Sequence, residues 1–459
     1  MTDAAIGGAT GDAPEGGRPT RLLPMGHLVR ISLYWLGLTA IDGAVGLFAQ
    51  NQLNYGSYAV DPLEIGRTLF LISLPVGLVS ILIQPTVGSI SDYTVSRWGR
   101  RKPYIVIGSL LDLVFLIGIA TANSVVALAA FTILLSFSTN IARGPFQGYV
   151  PDLVADQQVG FASAMVGLMQ ILGNVTGFLA VNLAVIFGQI EYAIFVVAIV
   201  ELVTMAAVVL RVEPGRPAKN RQGRSWLTIA GETWGTDILQ ERSYVWLLTS
   251  RFFFLAGGSV LVNLLITYLK QTHGLDEKTA NGVYTIALIL VVLANLIVIV
   301  PSARISDRTG RKPVIYVACA IGFAGVTAAA LAPVWPIAIG GAAFFGASAG
   351  IFLAVDWALM TDIIPRASSG RYMGLSNVAT TASTIFAVAT GGLTIDFING
   401  IAGIGAGPRA AYLLGAAYYV IAGLTLMPVV EPRRSRGGSP PPSTPTAPSD
   451  PLPDAGAAA

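Results

Sequence analysis

GSISDYTVSRWGRRKP, running from Gly88 to Pro103, returns in shortened form as ARISDRTGRKP from Ala303 to Pro313. Each copy follows a long apolar run and carries Ile-Ser-Asp, then Gly-Arg, then a Lys-Pro that opens the next apolar run. A second echo lies further along. Asp152 and Asp362 each end an apolar run, and Gly160 and Gly370 open the runs that follow. The copies stand 215 residues apart from Asp92 to Asp307 and 210 apart from Asp152 to Asp362. Two parallel copies of one helical unit are an architecture of secondary transporters, which place the substrate site near the midplane between the copies.

The composition fits that reading. Of 459 residues, 54% are hydrophobic and 12% charged, with a mean hydropathy of +0.68. A soluble domain carries about 25% charged residues, so lipid must be the main solvent of this chain. A helix needs about 20 mostly apolar residues to cross the hydrocarbon, and lipid requires every backbone group to be paired internally. Twelve runs qualify: about 28–50, 67–90, 103–122, 124–148, 160–186, 192–211, 244–269, 281–302, 313–332, 335–360, 370–393 and 409–430. The expected fold is an all-α membrane protein of 12 transmembrane helices in two pseudo-symmetric six-helix bundles. Its parts are a disordered tail (1–26), an N-terminal bundle (27–211), a linker (212–243), a C-terminal bundle (244–430) and a second disordered tail (431–459). The first 26 residues hold no apolar core segment, which argues against a cleaved signal peptide.

Charge orients the bundle. With the N-terminus in the cytosol, 22 of the 28 Lys and Arg fall on cytosolic segments; Arg67, Lys270, Lys278 and Arg409 face outward, and two lie inside spans. That bias follows the positive-inside rule and puts both termini in the cytosol, with the cell membrane as the expected location. The linker carries Arg216, Lys219, Arg221, Arg224 and Arg242 around Trp226 and Trp234, a pattern for an interfacial helix or a membrane-surface sensor. The net charge of +3 is dealt out in short loops, so no nucleic acid is expected. The lone Cys319 excludes an internal disulfide, and His27 and His273 are too few for a histidine-rich metal site. Neither a metal nor another cofactor is expected, and no Walker-type loop points to ATP.

The loop pattern Gly88, Asp92, Arg97, Gly99, Arg100, Arg101, echoed by Asp307, Arg308, Gly310 and Arg311, resembles the signature of the major facilitator superfamily. The longer form SDYTVSRWGRRKPY looks like the glycoside–pentoside–hexuronide branch and its relatives, the sucrose/proton symporters. So do Gly144-Pro145, Pro151-Asp152-Leu153 and FASAMVGLMQILGN, Phe161 to Asn174. The resemblance implies a carrier of sugars or similar small polar solutes, coupled to protons. Sodium-coupled members place acids in span two, whereas here nothing acidic lies between Glu64 and Asp92, so sodium is less expected. Ala303 also replaces the signature's first glycine in the second copy. Physically, carboxylates beside arginines at helix ends gain from the macrodipole and from charged hydrogen bonds. Such a cluster can latch the two halves in one orientation; the plain alternative is topology charge.

Charges inside the spans are sharper signals, because each costs at least ~2.5–3.5 kcal/mol at mid-membrane. Six stand out: Asp42, Asp112, Arg143, Glu201, Arg251 and Asp356. In proteins of this resemblance spans one, four, seven and ten line the central cavity, which implies one acid–base pair per half, Asp42 with Arg143 and Asp356 with Arg251. Asp42 is the expected coupling site, with Asp152 as the rival. The alternative is a permanent ion pair that only orients helices. Asp112 and Glu201 lie on spans usually peripheral and are read as packing or pairing groups. Amides and rings near the cavity, namely Gln50, Gln147, Gln170, Asn174, Asn263, Tyr268, Trp357 and Asn377, are candidate solute contacts, though each alone is more often an interhelical hydrogen bond. The expected partners are protons, a small-molecule solute and the lipid bilayer. A proton-driven exporter of drugs or metabolites on the same scaffold is the competing expectation. A membrane enzyme would need a clustered acid, histidine or cysteine site, which the sequence does not offer.

Overall fold

The computed structural model describes residues 22–213, 223–232, 241–363 and 369–430. Both expected tails, but for the last few residues of the first, and much of the linker, with Trp234, lie outside the described residues. Among the described residues, twelve helices are long and apolar enough to cross a membrane. They are Met25–Tyr55, Ile65–Asp92, Lys102–Ala120, Val125–Gln147, Phe161–Ile186, Tyr192–Arg211, Arg242–Asn263, Glu277–Thr309, Arg311–Leu331, Trp335–Met360, Ser376–Ala402 and Ala406–Leu426, called here spans one to twelve. Span one begins at Met25, so the expected first tail is too long at its inner end. An irregular turn at Leu33 divides it into Met25–Ser32 and Tyr34–Tyr55. Span seven is likewise broken at Leu264 and continues as Leu265–His273. Linker residues Trp226–Glu232 form a short helix that packs against span two. Beside it Arg224 donates to the Tyr93 hydroxyl at 3.0 Å.

Twelve crossings return the chain to the side it left. That side, which holds both ends, is called near, and the opposite side far. The burial pattern is that of a protein in lipid. Span six turns Val196, Ile199 and Val203 outward and keeps Glu201 and Thr204 inside. Small residues set the helix spacing. A Cβ on Gly173 or Gly177 of span five would strike the backbone of span one at Leu36 or Ala40. Gly346 and Gly350 of span ten lie against the backbone of span eight at Val291 and Asn295. Both are the small-xxx-small contacts that let membrane helices approach closely.

The repeat is visible in side-chain geometry. Lys102 at the start of span three donates to the carbonyl of Val209, in the last turn of span six, at 2.8 Å. Lys312 at the start of span nine donates to Met427 and Val429, just past span twelve, at 3.0 and 2.6 Å. Helix C-termini leave carbonyls without partners and carry a partial negative charge, and one lysine serves each half. The glycines two and three residues before them, Gly310 and Gly99, both have positive φ, 98° and 88°, a conformation that glycine alone adopts freely.

The halves meet at the far side. Among the described residues, the hydrogen bonds that join them gather there. Asn51 and Asn281 exchange two, Asn54 donates to Thr267 at 3.1 Å, and Tyr55 donates to the Leu275 carbonyl at 2.9 Å. Gln271 reaches Pro62 at 3.2 Å, and Lys270 donates to the Asn54 carbonyl. Asp396 of span eleven accepts from the backbone of Gly66 and Arg67, at 2.8 and 2.6 Å, at the start of span two. A carboxylate there meets both free N–H groups and the positive end of the helix dipole.

Candidate functional site: two ion pairs and a cavity

Span one is buried on nearly all sides, and its open stripe is narrow: Asp42 and Gly46 are exposed and Ala49 partly so. A lipid-facing helix exposes Leu, Ile, Val and Phe, as span six does; an Asp-Gly-Ala stripe faces water. Into it Arg143 of span four reaches, with Nη2 at 2.6 Å from Asp42 Oδ2 and 3.4 Å from the Leu38 carbonyl. Gly144 seats span four this close, because its Cα approaches the backbone of span two at Gln84 and Gly88.

In the other half Arg251 of span seven pairs with Asp356 of span ten. The two pairs differ in exposure. Asp42 keeps 44% of its side chain open and Arg143 18%, against 1% for Asp356 and 8% for Arg251. The second pair forms the base of a cavity of about 340 Å³ between spans seven, eight and ten. Phe254 and Phe352 stack in its wall, centroids 3.8 Å apart and planes 10° from parallel. Ser259, Asn263 and Asn295 supply polar groups. The Asn295 Oδ1 is buried without a hydrogen-bond partner.

Of the expected solute contacts, Asn263 lines this cavity. Gln50 is buried on span one with its Oε1 unpartnered. Gln170 and Asn174 pack against span one, through the Gln170 carbonyl that accepts from Thr39 at 3.0 Å and the Asn174 backbone against Gly43. Gln147 and Asn377 are half-buried on their helices. The Trp357 side chain lies outside the described residues. Tyr268 is a correction: it is fully buried away from the cavity, stacked on Tyr412 at 4.5 Å and donating to the Ala329 carbonyl at 2.6 Å. Asn295, Phe254 and Phe352 were absent from the sequence reading. An Asn in the middle of the long apolar stretch of span eight, Asn295, was the signal available.

The loop cluster is more than topology charge. Arg100 meets both Asp152 oxygens at 2.6 and 2.7 Å, and Arg101 adds a contact at 2.7 Å. Asp92 lies 3.1 Å from Arg101 and 3.7 Å from Arg100. Arg101 also donates at 2.9 Å to the Pro145 carbonyl. Gly148 makes room, since a Cβ there would overlap the Arg101 guanidinium. Asp152, the rival proton site, is thus held by two arginines at the near face and not in the central space. These ion pairs tie the near ends of spans two, three and four together. In the second copy Asp307 pairs with Arg311 at 2.9 Å and is 58% exposed. Arg97 stacks over Trp98 at 5.7 Å and, like Arg308, is exposed.

Two helical bundles of six spans enclose paired charges and a cavity, the architecture of a membrane carrier. The chain belongs to the Major Facilitator Superfamily, whose profile matches residues 31–297 and 247–453. It is 33% identical to a general alpha-glucoside permease of Schizosaccharomyces pombe over 167 residues, covering 33% of this chain and 30% of that protein. It is 27% identical to a lactose permease of Leuconostoc lactis over 170 residues, covering 34% and 26%. A sucrose transport protein of Arabidopsis thaliana is 29% identical over 126 residues, 22% and 21% of the two chains. The chain thus spans less than a third of the length of the curated relatives it matches. Among solved structures, a D-xylose-proton symporter superposes with a TM-score of 0.67 at 16% identity, over 88% of this chain and 98% of that one. The nucleoside transporter NupG gives 0.63 at 15% identity, over 88% and 99%. At those identities the likeness is one of fold.

Proposed function

We propose that the protein is a proton-coupled symporter of a small polar solute of the sugar or glycoside class, working by alternating access with its near side in the cytosol of the cell membrane. The observation that carries this is the Asp42–Arg143 pair, which is close, charged and open to water. A proton on Asp42 removes the charge that holds Arg143 and frees the guanidinium to take another partner. The sealed Arg251–Asp356 pair lacks that access and serves to orient spans seven and ten. With the near side in the cytosol, we read the far-side contacts as the closed gate of an inward-facing arrangement. Protonation and solute binding would then favour their release, since a ligand shifts an equilibrium only by its differential affinity for the two states.

The solute class rests on the cavity beside Arg251. A stacked aromatic wall with two amides and a hydroxyl offers an apolar face and directional hydrogen bonds, which a sugar ring uses together. Its volume suits a small ligand. The names of the glucoside, lactose and sucrose carriers to which parts of the chain are similar support the same class. Purified protein in proteoliposomes tests it, with maltose, sucrose and lactose as probes. An inward proton gradient should drive accumulation of at least one of them. Asp42→Asn should abolish accumulation while solute counterflow persists. A variant that still concentrates solute removes Asp42 from coupling, and no counterflow of any probe in the parent protein removes the sugar class.

A further inference from the structure

Behind the Asp42–Arg143 pair, wholly inside the N-terminal bundle, two more carboxyl groups meet. Asp112 of span three and Glu201 of span six are both 0% exposed, and the Tyr34 hydroxyl joins Glu201 to Ser109, one turn before Asp112 on span three. Each uses one oxygen on hydroxyls. Asp112 Oδ1 accepts from Ser138 and, at 2.9 Å, from Thr139; Glu201 Oε1 accepts from Tyr34 at 3.2 Å, and Tyr34 also meets Ser109 at 2.5 Å. The other oxygens, Asp112 Oδ2 and Glu201 Oε2, are buried and have no donor. Two carboxylates buried this near each other, each with an oxygen that no donor satisfies, do not both stay charged.

The repeat tells whether packing requires acids here. The landmarks Lys102 and Lys312, 210 residues apart, align spans three and nine; Asp152 and Asp362 give the same step for spans four and ten. The carbonyls the two lysines cap, Val209 and Met427, give a step of 218 for spans six and twelve. Asp112, Ser138 and Glu201 therefore correspond to Gly322, Ser348 and Tyr419. Those three also touch: the place of a Cβ on Gly322 is held by the Tyr419 ring and the Ser348 hydroxyl. The same inter-helix space is thus filled by an aromatic ring in one half and by two acids in the other. The fold does not need the acids.

One cation acts on the pair from the same bundle. Arg143 lies one turn past Thr139, which donates to Asp112 at 2.9 Å, and Arg143 Nε is buried without a partner. The titratable or charged groups around the pair are thus Tyr34 from span one and Arg143 from span four; span five contributes none among the described residues. We propose that Asp112 and Glu201 together form a second proton-binding site, holding one exchangeable proton, and that Arg143 links it to Asp42. When Asp42 takes a proton and releases Arg143, the guanidinium can turn its charge to Asp112, and the shared proton leaves. This deepens the proton-coupled reading and rests on it only for its use in transport, because the proton itself is detectable without solute.

Infrared spectroscopy of the purified full chain, exchanged between H₂O and D₂O at neutral pH, tests it. The expected result is a protonated-carboxyl C=O band, worth one group per chain, that shifts in D₂O. Asp112→Asn and Glu201→Gln should each remove it, Asp42→Asn should retain it or displace it, and Arg143→Gln should displace it. A proton with only a structural role would neither exchange in the folded protein nor respond at Arg143. Absence of the band in the parent protein overturns the proposal, and so does a folded Glu201→Gln that keeps it in full. If neither carboxamide variant folds, the parent band decides: exchange together with displacement by Arg143→Gln supports the site, and failure of either overturns it. Solute accumulation by Asp42→Asn alongside the expected band would sink the coupling assignment and leave this one standing.

Discussion

The side-chain amides of Asn51 and Asn281 exchange two hydrogen bonds, 3.1 and 2.6 Å long, across the boundary between the halves. Both residues are 1–2% exposed, so neither amide has water as an alternative. Truncating one leaves its partner buried and unsatisfied, at about 1–3 kcal/mol. That cost falls on the state closed at the far side. Asn51→Ala should therefore raise the far-open population by roughly five-fold to a hundred-fold, since 1.4 kcal/mol is a factor of ten. Spin labels at Ala59 and Lys278, one on each half, would read the change as a longer distance population; an unchanged distribution refutes it. Cys319 is the single native cysteine, so its replacement gives a clean background for labelling.

Backbone contact makes a second, steric version of the same test. A Cβ on Gly66 of span two would overlap the Gly392 carbonyl of span eleven. No flexible side chain can yield there, and interiors packed this tightly respond by shifting whole helices. Gly66→Leu should wedge the far side open more strongly than Asn51→Ala, with the same label pair moving apart. Unaltered distances would mean that spans two and eleven are not in contact in the resting carrier.

Much of this arrangement was legible beforehand. The span count follows from the length of the apolar runs and the repeat from the loop motif, whereas the two ion pairs follow from the cost of unpaired charge in hydrocarbon on spans that the family resemblance implies are central. Together with that resemblance, the cost of charge sets which residues meet. It does not set exposure. Asp42 and Asp356 look alike in the sequence, and only three-dimensional packing leaves one at 44% and the other at 1%. For the same reason Tyr268 read as cavity-facing: an aromatic at a span end gives no clue to the direction it points. Lys102 and Lys312 were hidden for a different cause. Their partners are backbone carbonyls more than 100 residues away, which no side-chain pattern records. The Asp112–Glu201 contact was missed because like charges are not expected to pair.

Those two lysines should contribute separately. Each satisfies the open end of a different helix, and the two sites lie in different halves. Capping contacts of this kind are worth about 1 kcal/mol each, and charge-assisted ones somewhat more. Lys102→Met and Lys312→Met should each lower the thermal unfolding midpoint by a few degrees, and the double variant should show the sum, because distant sites add. Lys312→Met should cost at least as much, as Lys312 meets two carbonyls and Lys102 one. A double variant no worse than either single would mean that the lysines act through one shared element.

The sealed pair makes the strongest stability prediction. Arg251 and Asp356 are nearly inaccessible, so their mutual attraction is offset by the cost of removing both from water. Asp356→Leu alone withdraws the carboxylate while Arg251 remains in place, a loss of about 3–5 kcal/mol for buried pairs. The thermal midpoint should fall sharply or the protein should fail to fold. Replacing both partners with apolar groups, as in Arg251→Met with Asp356→Leu, removes attraction and desolvation together and should recover most of the midpoint. Recovery without solute counterflow would give the pair a role in the cavity it floors. Recovery with counterflow intact would make it an orienting contact. If the double variant is no more stable than Asp356→Leu, the two residues are not energetically coupled.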